Sequence, residues 1–440
     1  MQGVYDAEIA FVSQRLAAAI VEREPALLED ATVADEIVRT LLRQIGTVTI
    51  AEVLTALGEQ VVTEAKAAGF RIERQVLVPF LTLQGRIVVA SPYLRGPSGG
   101  TRPVKDRLGI VGRAKSPGVE RALVDFGIEE SFGLASQRFE EHYGFRVGRT
   151  SLLRVVERVA QEAETFVDDW LGQEPQAVAE PPDLVVVELD GCEIRTATLV
   201  PRNDGTLSPV RKRPRKRRVE AWREVRVGLA VRHDEDPPIY IAKMASYPEV
   251  VADLHRAAGH VGARQAHRLV APIDGGAGLR EAIERAFAPI QIVLDWAHCR
   301  SNLFEAATEM GMGERGRNST AAEWTTRIAQ GGVTPLIVDL RRYAAYQPAP
   351  AGAHRVGNLA DPLERFEDAV HYEKFREEGL PIGSGRVEAA HRLIPQKRLK
   401  KPGTWWDPKH INPMLALRVL RQNGWWEDFC RTRASNRAAA

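Results

Sequence analysis

The chain is 440 residues long, 44% hydrophobic and 27% charged, with a formal net charge of +2. That composition belongs to a folded chain of roughly three domains and excludes wholesale disorder and collagen-like repeats. No apolar run approaches the roughly 20 residues of a membrane helix, so no membrane partner is expected. The N-terminus has no basic segment followed by an apolar block, so no secretory signal is expected. Cys192, Cys299 and Cys430 are widely spaced and form no CxxC, which argues against a disulfide framework or a cysteine zinc site and suits a reducing cytoplasm. The charge is divided: residues 1–70 hold 11 acidic and 5 basic side chains, so the basic excess lies beyond them.

Residues 5–70 read as helices, with apolar residues at three- and four-residue steps (Ile9, Val12, Leu16, Ile20, then Ile37, Leu41, Leu42). Residues 72–92 read as a β-hairpin around Gln84–Gly85, and the Gly- and Pro-rich 95–105 as a loop. Residues 117–170 read as three helices, with Gly127 between the first two and Gly144 and Gly148 between the second (131–143) and the third (150–170). A helix, a short glycine-containing turn and a helix outline a helix-turn-helix. The third helix opens on Arg149, Thr150 and Ser151 and carries Arg154 away from its apolar face, as a DNA recognition helix requires. The alternative is an ordinary helical hairpin packed on a core.

After a proline-containing linker (172–182) the pattern changes. LVVVELD (184–190) is a near-continuous apolar run, the mark of a strand buried on both faces. Strands are expected at 221–232, 237–245, 268–274 and 290–295, with helices after the third, fourth and fifth. Three strands, helix, strand, helix, strand, helix is the element order of an RNase H-like α/β core, a mixed five-stranded sheet with helices on both faces. Residues 310–379 read as a helical insertion interrupting that core, including a loop at 347–353, and the last 60 residues as helix, basic loop, helix.

In such a sheet the first and fourth strands are parallel neighbours, and ligand sites form at their C-terminal ends. Asp190 and Asp274 are expected to end those two strands. Each also suits a plain Asp-Gly turn. Glu388 lies in the first turns of a later helix that starts after Gly383-Ser384-Gly385, with Ser384 as candidate N-cap and Pro395 at its end or kink. Three such carboxylates can hold two Mg²⁺ ions, with Mn²⁺ as a substitute, for in-line phosphodiester displacement. Asp295 also ends a strand and competes for the second ligand position. With His298 it is otherwise expected to shape the site, and a zinc role for His298 and Cys299 lacks a partner pair.

Two basic stretches point to a polyanion. The first is Arg211, Lys212, Arg213, Arg215, Lys216, Arg217 and Arg218, seven cations in eight residues. The second is Arg392, Lys397, Arg398, Lys400 and Lys401, followed by Trp405 and Trp406, which either stack on an unpaired base or anchor the core. A solvated charged loop is the other reading of the first run.

The segment GSGRVEAAHRLIPQKRLKKPGTWWDPKHINPMLALRVLRQNGWWEDF (383–429) resembles the C-terminal block of bacterial insertion-sequence transposases of the ISKra type, within the Mutator-like group of DDE transposases. DGCEIRT (190–196), WREVRVGLA (222–230), IDGGAGLREAIERAF (273–287) and LDWAHCRSNLFEAA (294–307) are similar to further boxes of those enzymes in the same order. The resemblance implies Asp190, Asp274 and Glu388 as catalytic metal ligands. It also implies end cleavage followed by strand transfer into target DNA, double-stranded DNA as partner, and a homodimer or higher oligomer on DNA in a nucleoid-associated, cytoplasmic setting. A non-catalytic DNA-binding derivative and a structure-specific nuclease of the same fold are the alternatives. The expected organisation is a helical N-terminal region with an assembly role (1–70), a DNA-binding region (71–171), the linker, a first core segment (183–309), the insertion (310–379), a second core segment (380–432) and a disordered tail (433–440).

Overall fold

The computed structural model describes residues 3–24, 27, 30–110, 114–201, 216–232, 236–310, 313–346 and 359–439. The chain divides into two compact units, Met1–Phe126 with Leu134–Arg149, and Gly127–Gly133 with Thr150–Ala440. This division falls inside the stretch expected to form one DNA-binding region.

The first unit opens with α1 (Asp6–Arg23) and the 34-residue α2 (Ala34–Ala67). Strand β1 (Arg71–Arg74) pairs with β4 (Tyr93–Gly96), and β4 with β5 (Gly99–Thr101). The expected hairpin is β2 (Leu77–Thr82) with β3 (Gly85–Ala90). Residues 95–105 are therefore not a loop. Gly96 and Gly99 flank a two-residue turn, and Gly96 lies so close to the Phe70 ring that a Cβ would collide with it. Pro103 starts α3 (Pro103–Leu108), where its missing N–H has no helical partner to lose. Ile50, Ala51, Leu54 and Val62 of α2 pack against a core of Val78, Ile87, Val89, Val104 and Ile110. By length and composition α2 is apolar enough to cross a membrane, which run lengths alone did not predict. One of its faces is instead spent on this core.

Helices α4 (Pro117–Glu129), α5 (Phe132–Tyr143) and α6 (Arg149–Leu171) match the three expected pieces, with one correction. Gly127 is inside α4, not between helices. A Cβ there would come within 2.5 Å of Val156 Cγ2, so the glycine permits a close approach to α6 and makes no turn. Leu152, Val155, Val156, Val159, Ala160 and Ala163 form the buried stripe of α6.

The second unit is built on a five-stranded mixed sheet in the order β10-β9-β6-β7-β8. These are β6 (Leu184–Pro201), β7 (Lys216–Val231), β8 (Ile239–Lys243), β9 (Arg268–Ile273) and β10 (Gln291–Leu294). Strands β6, β9 and β10 are parallel, and β7 is antiparallel to both its neighbours. The first and fourth of the five are thus parallel neighbours and the fifth lies beyond the fourth, as expected. Strand β6 has 18 residues against the seven anticipated: after its three pairs with β9 it stays alongside β7, which itself pairs with β8 as far as Arg226, and beyond Gly191 the two strands run on as a ribbon to Pro201 and Lys216. Helix α7 (Tyr247–His260) starts on a capping box in which Ser246 and Glu249 satisfy each other's end of the first turn. It packs on β7 and β8.

Helix α8 (Leu279–Phe287) follows β9, and α9 (Trp296–Glu309) follows β10, as expected. The insertion holds α10 (Glu314–Ala329), α11 (Val333–Tyr346), α12 (359–365) and α13 (Tyr372–Glu377), with no strand among the described residues. The loop at 347–353 lies outside the described residues. Helix α14 (Gly385–His391) passes into a π-helical turn, Arg392–Gln396, that accommodates Pro395. Short α15 (Lys397–Leu399), α16 (Ile411–Gln422) and α17 (Trp426–Ala439) complete the chain. Residues 433–439 are not a disordered tail: α17 runs through them, and Arg433 pairs with Glu162 of α6.

Candidate functional site

Asp190 is not at the end of its strand. It lies within β6, paired with Val227, four residues past the last contact with β9. Gly191 follows in the ladder opposite Arg226, and its N–H donates to Asp190 Oδ1 at 2.6 Å. A Cβ at 191 would meet the end of the Glu224 side chain, which is partly exposed and able to move aside, so the glycine here marks no turn. Asp274 follows β9 directly, as expected. Gly275 turns the chain in the left-handed region (φ +88°), and the Gly276 N–H donates to Asp274 Oδ1 at 2.8 Å. This is an Asx turn, so the turn reading of Asp274 and a ligand reading coexist in one residue.

The two aspartates are near enough to act on each other. Burial pushes the Asp190 carboxyl up from its ordinary range, and the negative Asp274 adds to it against the pull of His391. His391 Nε2 lies 3.5 Å from Asp190 Oδ2, and burial pushes this imidazole down, towards its neutral form. Glu388 is one turn before His391 on α14 and acts on it electrostatically. Its carboxylate is exposed and makes no hydrogen bond or ion pair among the described residues. Lys400 also acts on His391, and on Cys192, whose thiol burial pushes up to about 11.

Asp295 is the most heavily bonded carboxylate here. It caps α9, and its Oδ1 accepts from His298 N at 2.7 Å and meets His298 Nδ1 at 3.0 Å. Its Oδ2 accepts from Ser384 N at 2.6 Å and Ser384 Oγ at 2.9 Å. Burial works against its charge, but these bonds outweigh it and hold the carboxyl well below the usual range. The same bond to Asp295, aided by the charges of Asp274 and Asp190, lifts His298 to about 9. Asp295 is therefore occupied on both oxygens, whereas an imidazolium at position 298 faces the two other aspartates. A group raised from its ordinary 6.5 stabilises the fold below pH 6.5 and loses that contribution as pH climbs through about 9. The melting-temperature gap between the wild-type chain and His298→Asn should shrink from pH 7 to pH 10. A gap that stays constant would show that no such imidazolium exists.

Glu188 was missed in the sequence, although a lone carboxyl inside LVVVELD was a signal. It sits two residues before Asp190 on the same side of β6, 1% exposed, and its Oε2 accepts from Val387 N of α14 at 2.8 Å. Arg386 Nη1 is 3.9 Å from the other oxygen. Two carboxylates, Glu188 and Asp295, thus hold the N-terminal end of the helix that carries Glu388. Ser384 stands at the expected cap position but spends its hydroxyl on Asp295 and not on the helix. Burial raises Glu188 to about 7, so its contribution to stability is complete below 4.5 and lost as pH rises through about 7. Glu188→Gln keeps an acceptor for Val387 without a buried charge. It should raise the melting temperature at pH 8 and change it little at pH 5; a loss at pH 8 would mean that the charge itself is needed.

Among the described residues no three His, Cys, Asp or Glu side chains are grouped tightly enough to hold an ion as they stand. The donors nevertheless suit a hard divalent cation. Asp190, Asp274 and Glu388 offer oxygen only, Asp190 and Asp274 are electrostatic neighbours, and Glu388 is uncommitted.

The expected DNA contacts separate into groups. Arg149, Thr150 and Arg154 are exposed and Ser151 half-buried along the start of α6. Arg211, Lys212, Arg213 and Arg215 lie outside the described residues. Lys216, Arg217 and Arg218 continue into β7, exposed, with Arg218 paired to Glu220. Trp222 on the same ribbon is 61% exposed and had no signal beyond its alternation with charged residues. Lys397 and Lys401 are paired with Glu129 and Glu130, and Lys400 is exposed. Arg398 and Trp406 are a correction. Arg398 is 2% exposed, donates to the Gly127 carbonyl and stacks between Phe132 and Trp406, and Trp406 is itself buried. Both are core anchors, out of reach of DNA. Trp405 is half-buried under Arg218.

No known family model matches the chain, and no curated protein matches its sequence.

Proposed function

We propose that the second unit is an RNase H-like DDE transposase core that cleaves phosphodiester bonds at the ends of an insertion sequence and joins them to target DNA. The observation that carries this reading is the placement of Asp190 and Asp274 on adjoining parallel strands, with α14, which bears Glu388, docked beside them through Glu188 and Asp295. Asp190, Asp274 and Glu388 would hold two Mg²⁺ ions, replaceable by Mn²⁺, and metal bound there supplies nucleophile activation and neutralises charge on the leaving oxygen. The chain's own groups do the rest. Glu188 and Asp295 fix the carrier helix of Glu388, and His298 places a positive charge against the crowded aspartates. Arg149, Thr150, Ser151 and Arg154 of a helix-turn-helix, Lys216 to Arg218 of the ribbon and Lys400 track the phosphate backbone of double-stranded DNA, as do the cations at 211–215. A homodimer acting on two ends is part of this reading, as is a cytoplasmic, nucleoid-associated setting. The acidic first 70 residues are kept off the DNA by their charge.

The test is an end-cleavage assay on DNA carrying the element's termini, with Mg²⁺. The wild-type chain should nick the 3′ ends and transfer them. Cutting of branched DNA without transfer would favour a structure-specific nuclease. Binding without cutting, in Mg²⁺ or Mn²⁺, would leave a DNA-binding derivative of a transposase.

A further inference from the structure

Residues 71–107 hold seven arginine or lysine side chains against two acids, Glu73 and Asp106. The pairing of β1, β4 and β5 gathers four of these cations on one face. Arg71 stands opposite Arg95, and Arg95 opposite Gly100. Arg74 stands opposite Tyr93, and the Arg102 guanidinium, just past β5, is 5.9 Å from the centre of the Tyr93 ring. Residues opposite one another, and residues two apart along a strand, share a side of a sheet. Arg71, Arg74, Arg95 and Arg102 therefore surround Tyr93 on one side. Ile72, Leu94 and Thr101 take the other, where Leu94 is completely buried. All four arginines are exposed and Tyr93 is half-buried. Glu73, the extra residue of a bulge in β1, lies 3.6 Å from Arg95, and the other three make no ion pair among the described residues. Tyr93 reaches across this face: its hydroxyl is 1.7 Å from where a Cβ of Gly100 would begin, so the end of the ring lies over the β5 backbone.

We infer that this face is a platform for single-stranded nucleic acid, its guanidiniums holding phosphates and the Tyr93 ring stacking on a base. All four cations are arginines, whose planar forks match phosphate oxygens and also stack on rings. A duplex fits poorly. Its major groove admits a helix or a two-stranded ribbon, not the flat side of three strands, and its paired bases would leave the ring nothing to meet. A bilayer surface fits no better, because the face carries no aliphatic side chain to insert. A single strand uses both kinds of group, laying unpaired bases on aromatic rings while its backbone follows the cations. The inference rests on the first unit alone, so it stands or falls apart from the cleavage chemistry proposed for the second.

The test is fluorescence anisotropy of the full-length chain with labelled oligothymidine and oligouridine of about 12 nucleotides, and with a DNA duplex of the same length. The wild type should bind the single strands, and the tighter of the two tells DNA from RNA. Tyr93→Leu should weaken single-strand binding about tenfold and leave duplex binding within about twofold, whereas Tyr93→Phe, which keeps the ring, should bind as the wild type does. Arg71→Gln with Arg95→Gln should flatten the plot of log Kd against log salt for oligothymidine by about 1.4. Should a variant fail to fold, the wild type alone decides: oligothymidine carrying 4-thiothymidine should cross-link on irradiation to residues 71–102, located by mass spectrometry. Failure of the wild type to bind either single strand, cross-links confined to the second unit, or an equal loss on duplex and single strand in Tyr93→Leu would each overturn the proposal.

Discussion

Asp190→Asn should abolish strand cleavage, by on the order of 10³-fold or more, while DNA binding stays within twofold of the wild type. A metal ligand contributes several kcal/mol to stabilising charge in the transition state, and each 1.36 kcal/mol is a factor of ten in rate. Asparagine preserves the size of the side chain and can still accept the Gly191 N–H, so folding should be little changed. Removing the charge should also relieve the crowding with Asp274 that burial enforces. Asp274→Asn and Glu388→Gln should behave alike. Asp295→Asn should differ in kind. Both its oxygens are engaged by Ser384 and His298, so the amide must present an N–H₂ to a donor on one side. The expected result is a lower melting temperature together with partial loss of cleavage. If Asp274→Asn cuts normally while Asp295→Asn is folded and dead, the second ligand has been assigned to the wrong strand end.

Arg418→Ala should destabilise the second unit by about 3–5 kcal/mol, the cost of breaking a buried pair by deleting one partner. Arg418 is completely buried in α16. Its guanidinium donates to the Leu393 carbonyl inside the π-helical turn and pairs with Glu129. Deletion leaves that carbonyl without a donor and opens a cavity beside Arg398. Arg418→Lys should recover only a fraction, since an ammonium cannot reach both acceptors in the fork geometry of a guanidinium. Denaturant titration measures this directly, and a loss under 1 kcal/mol would show that the arginine is better solvated than its burial implies. Cleavage should fall with it, because the turn it braces follows the helix of Glu388.

The strand order of the second unit was legible because βα alternation and apolar runs report burial on both sides of a sheet. The same signal overstated what could be known at Asp190. Alternation continues past Asp190 through Glu193, Ile194 and Arg195 and then changes phase at Thr196 and Ala197, and the ribbon residues are too polar to read as buried strand. Asp-Gly therefore stood out as an end. Gly127 and residues 95–105 were misread for a related reason: glycine marks turns and close approaches alike, and only the neighbour distinguishes them. Glu388 and Asp295 were found from their position in motifs. Glu188 was not, and the partners of Ser384 and His391 were not either, because the residues that Glu188, Ser384 and His391 meet are about 90 to 200 positions away in the chain. Arg398 looked like a phosphate contact from its basic company, and its burial beneath two aromatic rings has no local signature.

Embedding Asp190 in a continuous ladder has a mechanical consequence. Its backbone is tied to Val227 on one side of a ribbon that spans 16 residue pairs, so no loop rearrangement can shift it. Glu388 rides on a seven-residue helix tethered at one end by two acidic anchors and followed by a π-helical turn. A displacement of Glu388 relative to Asp190 would therefore have to be a hinge movement of that short segment against a fixed strand, so that of the two carboxylates only one stands on a part of the chain free to swing.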